Sequence, residues 1–159
     1  MRAPWGVTEL MRLIQLKPPH VAGILIAVSV GLHFLVPKSS RGSLSCLTCS
    51  AVAFLLGFGG MIWAWWLFRR AGTPIRPTAQ AVSLVTSGPF RLSRNPMYLG
   101  IVVMLLGIAL LVGSWPMLIA PLGFFVFMSQ VFIPFEEQRL RQVFGESYDS
   151  YTRRVRRWI

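Results

Sequence analysis

The segment Ser87–Gly100, SGPFRLSRNPMYLG, is polar and doubly basic, and it leads directly into the apolar run Leu99–Val112. Its first three residues, Ser-Gly-Pro, have the composition of a turn. Asn95 and Pro96 predict the start of a helix, because Asn95 can cap the first free amides and Pro96 has no N–H to leave unpaired. The segment therefore marks where a polar connection becomes an apolar helix.

The predicted helix start also carries groups that suit a ligand. Arg91 and Arg94 stand beside free backbone N–H groups, which favour anions. Tyr98 falls in the first turn, and Gly100 has no side chain, so another group can approach its backbone closely. Two interpretations stay open on these residues alone: the mouth of a ligand site, or a capped membrane helix with a basic cytoplasmic flank.

Composition indicates a membrane protein. The chain has 159 residues, of which 54% are hydrophobic and 13% are charged, whereas a soluble domain of this length carries about 25% charged residues. A net charge of +11 would suggest nucleic acid in a soluble chain. Here the basic residues lie between apolar runs, so anionic lipid headgroups and topology explain them better, and no nucleic-acid partner is expected.

The hydrophobic pattern predicts an all-α integral membrane protein with four transmembrane helices, a C-terminal helical hairpin and a cytoplasmic C-terminal helix. We treat 1–159 as a single domain. Its expected parts are an interfacial segment 1–20, two membrane helices within 21–68 (Val21–Val36 and Cys46–Phe68), a cytoplasmic loop 69–95, a helical hairpin 96–135 (Met97–Gly113 and Trp115–Phe135) and a cytoplasmic tail 136–159.

Several residues in the first half carry weaker signals. The first 19 residues suit an amphipathic surface helix, but a disordered basic flank fits them as well. The pair Cys46 and Cys49 is weak support for metal or redox chemistry, so we expect no metal site and two small apolar side chains. His33 is expected to be a hydrogen-bonded interfacial residue. Three glycines of the second helix, Gly57, Gly59 and Gly60, predict close helix packing.

Two blocks of sequence together resemble a known family. The first contains Gly88-Pro89-Phe90-Arg91 and Arg94-Asn95-Pro96-Met97-Tyr98-Leu99-Gly100. The second contains Glu136-Glu137, Phe144-Gly145-Glu146-Ser147-Tyr148, Tyr151 and Arg154-Val155-Arg156-Arg157-Trp158. In order and spacing the two blocks resemble the isoprenylcysteine carboxyl methyltransferase and phospholipid methyltransferase family of integral membrane enzymes. The resemblance runs from about Ser87 to the last residues.

The resemblance implies methyl transfer from S-adenosylmethionine to a hydrophobic, membrane-embedded small molecule or lipid acceptor at the cytoplasmic face. It also implies a set of cofactor-binding residues: Arg94, Asn95, Pro96, Tyr98, Gly100, Glu136 and Glu137. Among these we assign Arg94, Asn95 and Glu137 as catalytic. No glycine-rich nucleotide loop follows a strand, so a Rossmann-type site is not expected.

The two glutamates follow an apolar helix and therefore require partners. Adjacent helical residues point about 100° apart. We expect one glutamate to face the cofactor and the other to hold an arginine, with Glu137 slightly favoured as the cofactor contact. The alternative is a structural pairing of Glu136 with Arg139 and of Glu137 with Arg141.

Two departures from the isoprenylcysteine enzymes bear on the substrate. Asn95 stands where those enzymes carry histidine, and Pro134 precedes the glutamates where they have an arginine nearby. These changes weaken the implied prenylcysteine acceptor more than the implied methyl donor. Two other functions compete with methyl transfer: a nicotinamide-dependent reductase of a lipid, and a non-enzymatic membrane scaffold.

The distribution of basic residues predicts the orientation. Fourteen of the 16 lysines and arginines lie in the N-terminal segment, the long connection and the tail, and the other two, Lys38 and Arg41, lie between the first two helices. The positive-inside rule therefore places both termini and both sequence blocks in the cytoplasm. We expect the chain in the inner (plasma) membrane of a bacterium.

Cysteine labelling tests this topology. Single cysteines at Ser40, Ser87 and Ser150 are introduced after Cys46 and Cys49 are changed to serine. Ser87 and Ser150 should react with a membrane-impermeant maleimide from the cytoplasmic side, and Ser40 from the opposite side. If Ser87 and Ser150 are labelled from different sides, the orientation is wrong.

Overall fold

A computed structural model describes residues 17–37, 46–72 and 83–159, and these residues form helices and no strands. The α-helices are α1 Pro18–Leu35, α2 Leu47–Arg70, α3 Pro96–Val112, α4 Ile119–Phe127, α5 Ile133–Phe144 and α6 Glu146–Arg154. Short 3₁₀ turns at Gly88–Arg91 and Trp115–Leu118 precede α3 and α4, and a π-helical turn, Met128–Phe132, joins α4 to α5. The predicted interfacial segment lies almost wholly outside the described residues.

Three helical stretches are long and apolar enough to cross a membrane: α1, α2 and the continuous run Trp115–Phe144. The helix α3 has 17 residues, which is roughly 25 Å at 1.5 Å per residue and is short for a span. Many apolar side chains on the outside of these helices are exposed, for example Leu55 at 67%. The described residues confirm the all-helical class, and the three apolar stretches are consistent with a membrane protein. A fourth span at α3 and the helical hairpin remain predictions.

The most extensive helix pairing joins α2 to α3 and depends on glycine. A Cβ atom added to Gly57 would lie 2.5 Å from the carbonyl oxygen of Gly100, and one added to Gly107 would lie 2.7 Å from the backbone nitrogen of Phe54. Such contacts leave no room for a side chain, so the two backbones touch directly. A Cβ atom added to Gly59 would have no atom within 4 Å. Of the three predicted glycines, only Gly57 makes a close helix contact.

The last membrane helix does not end at Phe135, where the sequence suggested a boundary. It continues as α5 to Phe144, with the π-helical turn in its middle. Pro134 explains the turn, because its ring has no N–H to donate and would clash with the carbonyl of Gln130 in a regular α-helix. The extra residue in the turn relieves that clash, and the helix carries Glu136 and Glu137 out of the apolar region without a break.

The helix α1 packs against α4 and closes one side of the core. Val21 belongs to the same buried cluster as Leu105, Phe124 and Phe132. At the far end of the bundle, the Nδ1 of His33 and the Oγ of Ser114 are 2.7 Å apart. The predicted hydrogen bond of His33 is therefore confirmed, and it joins α1 to the turn between α3 and α4.

Cys46 and Cys49 lie at the start of α2, as predicted, but they are not two separate apolar side chains. They form a disulfide with each other. The C-x-x-C spacing permits this because three residues of helical rise bring the positions together, with their Cα atoms 5.2 Å apart. The prediction of unbonded cysteines was wrong.

The glycine contact between α2 and α3 makes a direct prediction. Gly57→Ala should lower the free energy of unfolding by about 1–3 kcal/mol, and with it the thermal unfolding temperature, because the added methyl group pushes the helices apart. Gly59→Ala is the matched control and should leave the temperature unchanged or slightly higher, since alanine is the better helix former. Tryptophan fluorescence during heating in detergent measures both. Equal effects in the two variants would contradict the assigned contact.

Candidate functional site

The turn before α3 is held by one local side-chain contact and by bonds to a distant part of the chain. Gly88 has a φ of +59°, which suits a residue without a side chain. The Asn95 backbone N–H donates to the Oγ of Ser93 at 3.1 Å. Asn95 is the N-cap residue, but its side chain caps no amide of α3. Its Nδ2 instead donates to the carbonyl oxygen of Arg157 at 3.0 Å, so the predicted capping bond was wrong: a more distant acceptor takes the side chain.

That acceptor belongs to the segment Val155–Ile159, which we call the strap. It follows α6 and lies against the turn before α3. The Arg94 backbone N–H donates to the carbonyl oxygen of Arg156 at 3.0 Å, and the Ser93 hydroxyl donates to that of Arg157 at 3.3 Å. Together with the Asn95 bond, these contacts fix the turn to a part of the chain about 60 residues later.

Glu137 is the charged centre of the site. Its Oε1 lies 3.0 Å from an Arg94 guanidinium nitrogen, and its Oε2 lies 2.7 Å from Nη2 of Arg157. The Arg157 Nε also donates to the carboxylate at 3.2 Å. Glu137 is 7% exposed. The hydrogen bond to Glu137 raises the pKa of Arg157, so that guanidinium stays charged.

Glu136 faces a different neighbour. Its Oε1 accepts a hydrogen bond from the Tyr98 hydroxyl at 2.8 Å. The angle of about 100° between adjacent helical residues separates the two carboxylates: one meets α3 at Tyr98 and the other meets the arginines. The arginine-holding role thus falls to Glu137, opposite to the slight preference from the sequence. The alternative partner of Glu137, Arg141, pairs instead with Asp149 at 3.2 Å.

Two tyrosines of α6 complete the packing beneath the turn. Tyr148 and Tyr151 are both buried. The Tyr151 hydroxyl donates to the carbonyl oxygen of Phe90 at 2.6 Å. Burial, together with the neighbouring Tyr148, raises the pKa of Tyr151 to about 12, so the hydroxyl remains a donor at neutral pH. Sequence reasoning assigned these tyrosines no role, although their helical spacing on one face of a polar helix was a usable signal.

The remaining predicted site residues have packing roles. Pro96 is buried at the first position of α3. Gly100 is approached closely, as expected, but by the backbone of α2 rather than by an open ligand site: an added Cβ would lie 2.6 Å from the carbonyl oxygen of Gly57. The close approach at Gly100 is therefore a helix–helix contact, and its role as a cofactor contact stays a prediction.

The arginine side of the site suits an anion. Two guanidinium groups share the Glu137 carboxylate, which leaves one positive charge in excess. Among the buried side-chain polar atoms of the described residues, Arg94 Nε is the one without a hydrogen-bond partner. Its N–H is available to a carboxylate or a phosphate oxygen. Across residues 17–37, 46–72 and 83–159, no cluster of three histidine, cysteine, aspartate or glutamate residues could hold a metal.

Comparison with known proteins gives one family match. A family model described as phospholipid methyltransferase matches residues 45–147. The match covers α2, α3 and both glutamates of the site. No curated protein and no solved structure matches the chain significantly.

The ion pairs predict a difference between two carboxyl-to-amide changes. Glu137→Gln should lower the thermal stability by about 1.5–3 kcal/mol, because it removes a buried charge that the largely buried Arg94 and the partly exposed Arg157 share. Asp149→Asn breaks the exposed pair with Arg141 and should cost about 0–1 kcal/mol. Thermal unfolding in detergent measures both. A loss in Glu137→Gln no larger than in Asp149→Asn would show that the buried network contributes little.

Proposed function

The chain belongs to the phospholipid methyltransferase family, and on that premise we propose that it transfers a methyl group from S-adenosylmethionine to a hydrophobic or lipid acceptor at the cytoplasmic face of the membrane. Membership implies methyl transfer to a lipid-type substrate. The methyl donor, the membrane face and the site residues are the parts of this proposal that the geometry of the site supports further.

The single observation that carries the donor assignment is the unpaired N–H of Arg94. The guanidinium of Arg94 pairs with Glu137, and its buried Nε has no hydrogen-bond partner. The donor has an amino-acid carboxylate, and a fixed guanidinium is the group that binds a carboxylate best. The start of α3 adds free backbone N–H groups on the same side. The residues present therefore fit this end of the donor.

Tyr98 and Glu136 form the second half of the proposed site. Their hydrogen bond places a carboxylate and a phenol side by side about one helical turn into α3. A carboxylate can accept hydrogen bonds from ribose hydroxyls or pair with the donor's ammonium, and an aromatic face attracts a sulfonium cation. We assign the cofactor contact to Glu136 rather than Glu137, because Glu137 is already shared by two arginines.

When bound, S-adenosylmethionine supplies a methyl group on a good leaving group, so the protein need not generate a strong electrophile. What the chain must do is hold donor and acceptor in line and exclude water. Arg94 and Asn95 orient one end of the site, and Tyr98 with Glu136 orients the other. Apolar residues around Tyr98, including Phe124 at a ring distance of 6.5 Å, exclude water from that side.

The membrane face has two independent supports. Arg69 and Arg70 end α2 on the side of the site, where their guanidinium groups lie over the rings of Trp65 and Trp66. The Cys46–Cys49 disulfide lies at the opposite end of α2. Disulfides persist in oxidising compartments, and basic residues with tryptophan mark the cytoplasmic interface. Both features favour the cytoplasmic side for the site.

Binding calorimetry in lipid nanodiscs tests the proposal. The parent protein should bind S-adenosylmethionine and not NADPH. Arg94→Gln should weaken donor binding about tenfold to a hundredfold, because a charge-assisted hydrogen bond is lost. Arg91→Gln is the matched control: Arg91 lies three residues earlier, is exposed, and should bind the donor like the parent.

Arg94→Lys separates binding from folding, since it keeps the charge toward Glu137 but loses the planar guanidinium. A folded Arg94→Lys protein with weakened donor binding supports the carboxylate contact. Binding of NADPH without binding of S-adenosylmethionine would overturn the methyltransferase assignment in favour of a reductase.

A further inference from the structure

We propose that the strap Val155–Ile159 is a positioning element of the donor site, and that Arg157 and Trp158 are the two side chains that hold it in place. The proposal rests on the proposed function, and it adds residues beyond 147, where the family match ends. Neither side chain is assigned to touch the donor. Each is assigned to set the position of Arg94 and Asn95, and those two residues are the ones assigned to contact the donor.

The first anchor is Arg157. Its backbone bonds the two neighbours of Arg94 in sequence, and its side chain binds the carboxylate that pairs with Arg94. Its carbonyl oxygen accepts hydrogen bonds from Ser93 and Asn95. Its guanidinium binds the same Glu137 carboxylate that holds the Arg94 guanidinium. A shift of Arg157 therefore changes the backbone before α3 and the orientation of Glu137 together. Arg94 would move with them, because its backbone N–H donates to the carbonyl oxygen of Arg156 in the strap.

The second anchor is Trp158, which fastens the strap to the membrane helix. Its Nε1 donates to the Oγ of Ser129 at 3.1 Å, and its ring lies 4.7 Å from that of Phe125. Ser129 is in the π-helical turn, and its own hydroxyl donates to the Phe125 carbonyl at 2.7 Å. The hydroxyl can thus accept the Trp158 N–H in a fixed direction. Trp158 also packs against the hydrophobic core cluster.

The two anchors are adjacent in the strap, and they coincide with or directly follow the carbonyls of Arg156 and Arg157 that bond the turn before α3. Arg157 is held by a buried carboxylate, and Trp158 is held by a hydroxyl and an aromatic ring. The strap makes no regular secondary structure of its own after Val155, so its course depends on these side chains. Loosening either one should let the carbonyls of Arg156 and Arg157 move away from Arg94 and Asn95.

The kinetic test uses the full chain in nanodiscs with S-adenosylmethionine as the varied substrate. Arg157→Gln and Trp158→Ala should raise the KM for the donor about tenfold and leave the KM for the acceptor unchanged. Arg157→Lys should recover part of the loss. Arg156→Gln is the matched control, since its side chain is exposed and only its carbonyl is used; it should behave like the parent.

This pattern separates positioning from loss of folded protein. A purely structural role would lower the active fraction, and hence kcat, without changing the donor KM. Normal donor KM values in both Arg157→Gln and Trp158→Ala would overturn the proposal.

A double-mutant cycle tests the Trp158 anchor itself. Trp158→Phe removes the N–H donor and reduces the size of the ring. Ser129→Ala removes the acceptor together with the hydroxyl's own bond to the Phe125 carbonyl. Each single change should raise the donor KM about threefold to tenfold, as expected for one neutral hydrogen bond. If the two groups act through one bond, the loss in the double variant should be smaller than the sum of the losses in the two single variants. Additive effects would contradict the assigned contact.

Hydrogen exchange keeps the proposal testable apart from the methyl donor. If the parent binds no S-adenosylmethionine, the proposed function fails, and the strap is judged by amide exchange alone. The Arg94 amide bonds a strap carbonyl, so Trp158→Ala should speed its exchange, whereas Arg156→Gln should not. Unchanged exchange at Arg94 in Trp158→Ala would overturn the strap as a positioning element whatever the ligand is.

Discussion

The Glu137 carboxylate joins three parts of the chain that are far apart in sequence. It lies on α5 and pairs with Arg94 before α3 and with Arg157 in the strap. A buried carboxylate with no partner costs several kcal/mol, whereas one shared by two guanidinium groups is compensated. The turn and the strap both depend on that compensation, because Glu137 is the carboxylate through which their arginines pair with α5.

The π-helical turn links the membrane part of the protein to this charged centre. Pro134 prevents a regular α-helix, and the extra residue of the turn changes the angular position of everything before it relative to everything after it. Ser129 therefore faces the strap while Glu137 faces the arginines on the same long helix. Without the irregular turn, Ser129 and Glu137 would have a different angular separation around the helix axis.

The helices were largely predictable from the sequence, whereas the contacts of the site were predictable only in part. Apolar runs and proline at a helix start locate α1 to α3 within a few residues. The sequence also indicated that one glutamate holds an arginine. It did not indicate which glutamate does so or which arginine is held, because Arg94 and Arg157 reach Glu137 from distant positions in the sequence. Asn95 was misassigned for the same reason: local capping rules favoured a neighbouring amide, while a carbonyl 62 residues later accepts the bond.

The distance in sequence between the turn before α3 and the strap affects the order of folding. Ser93 and Arg157 are 64 residues apart, and contacts of such separation form late because the intervening chain must be ordered first. Membrane helices insert as separate units and then associate. The tight α2–α3 pair, whose glycine contacts need no strap residue, can therefore assemble early. The bonds from the strap to Arg94 and Asn95 are made only afterwards, so the proposed donor site is the last part of this face to be completed.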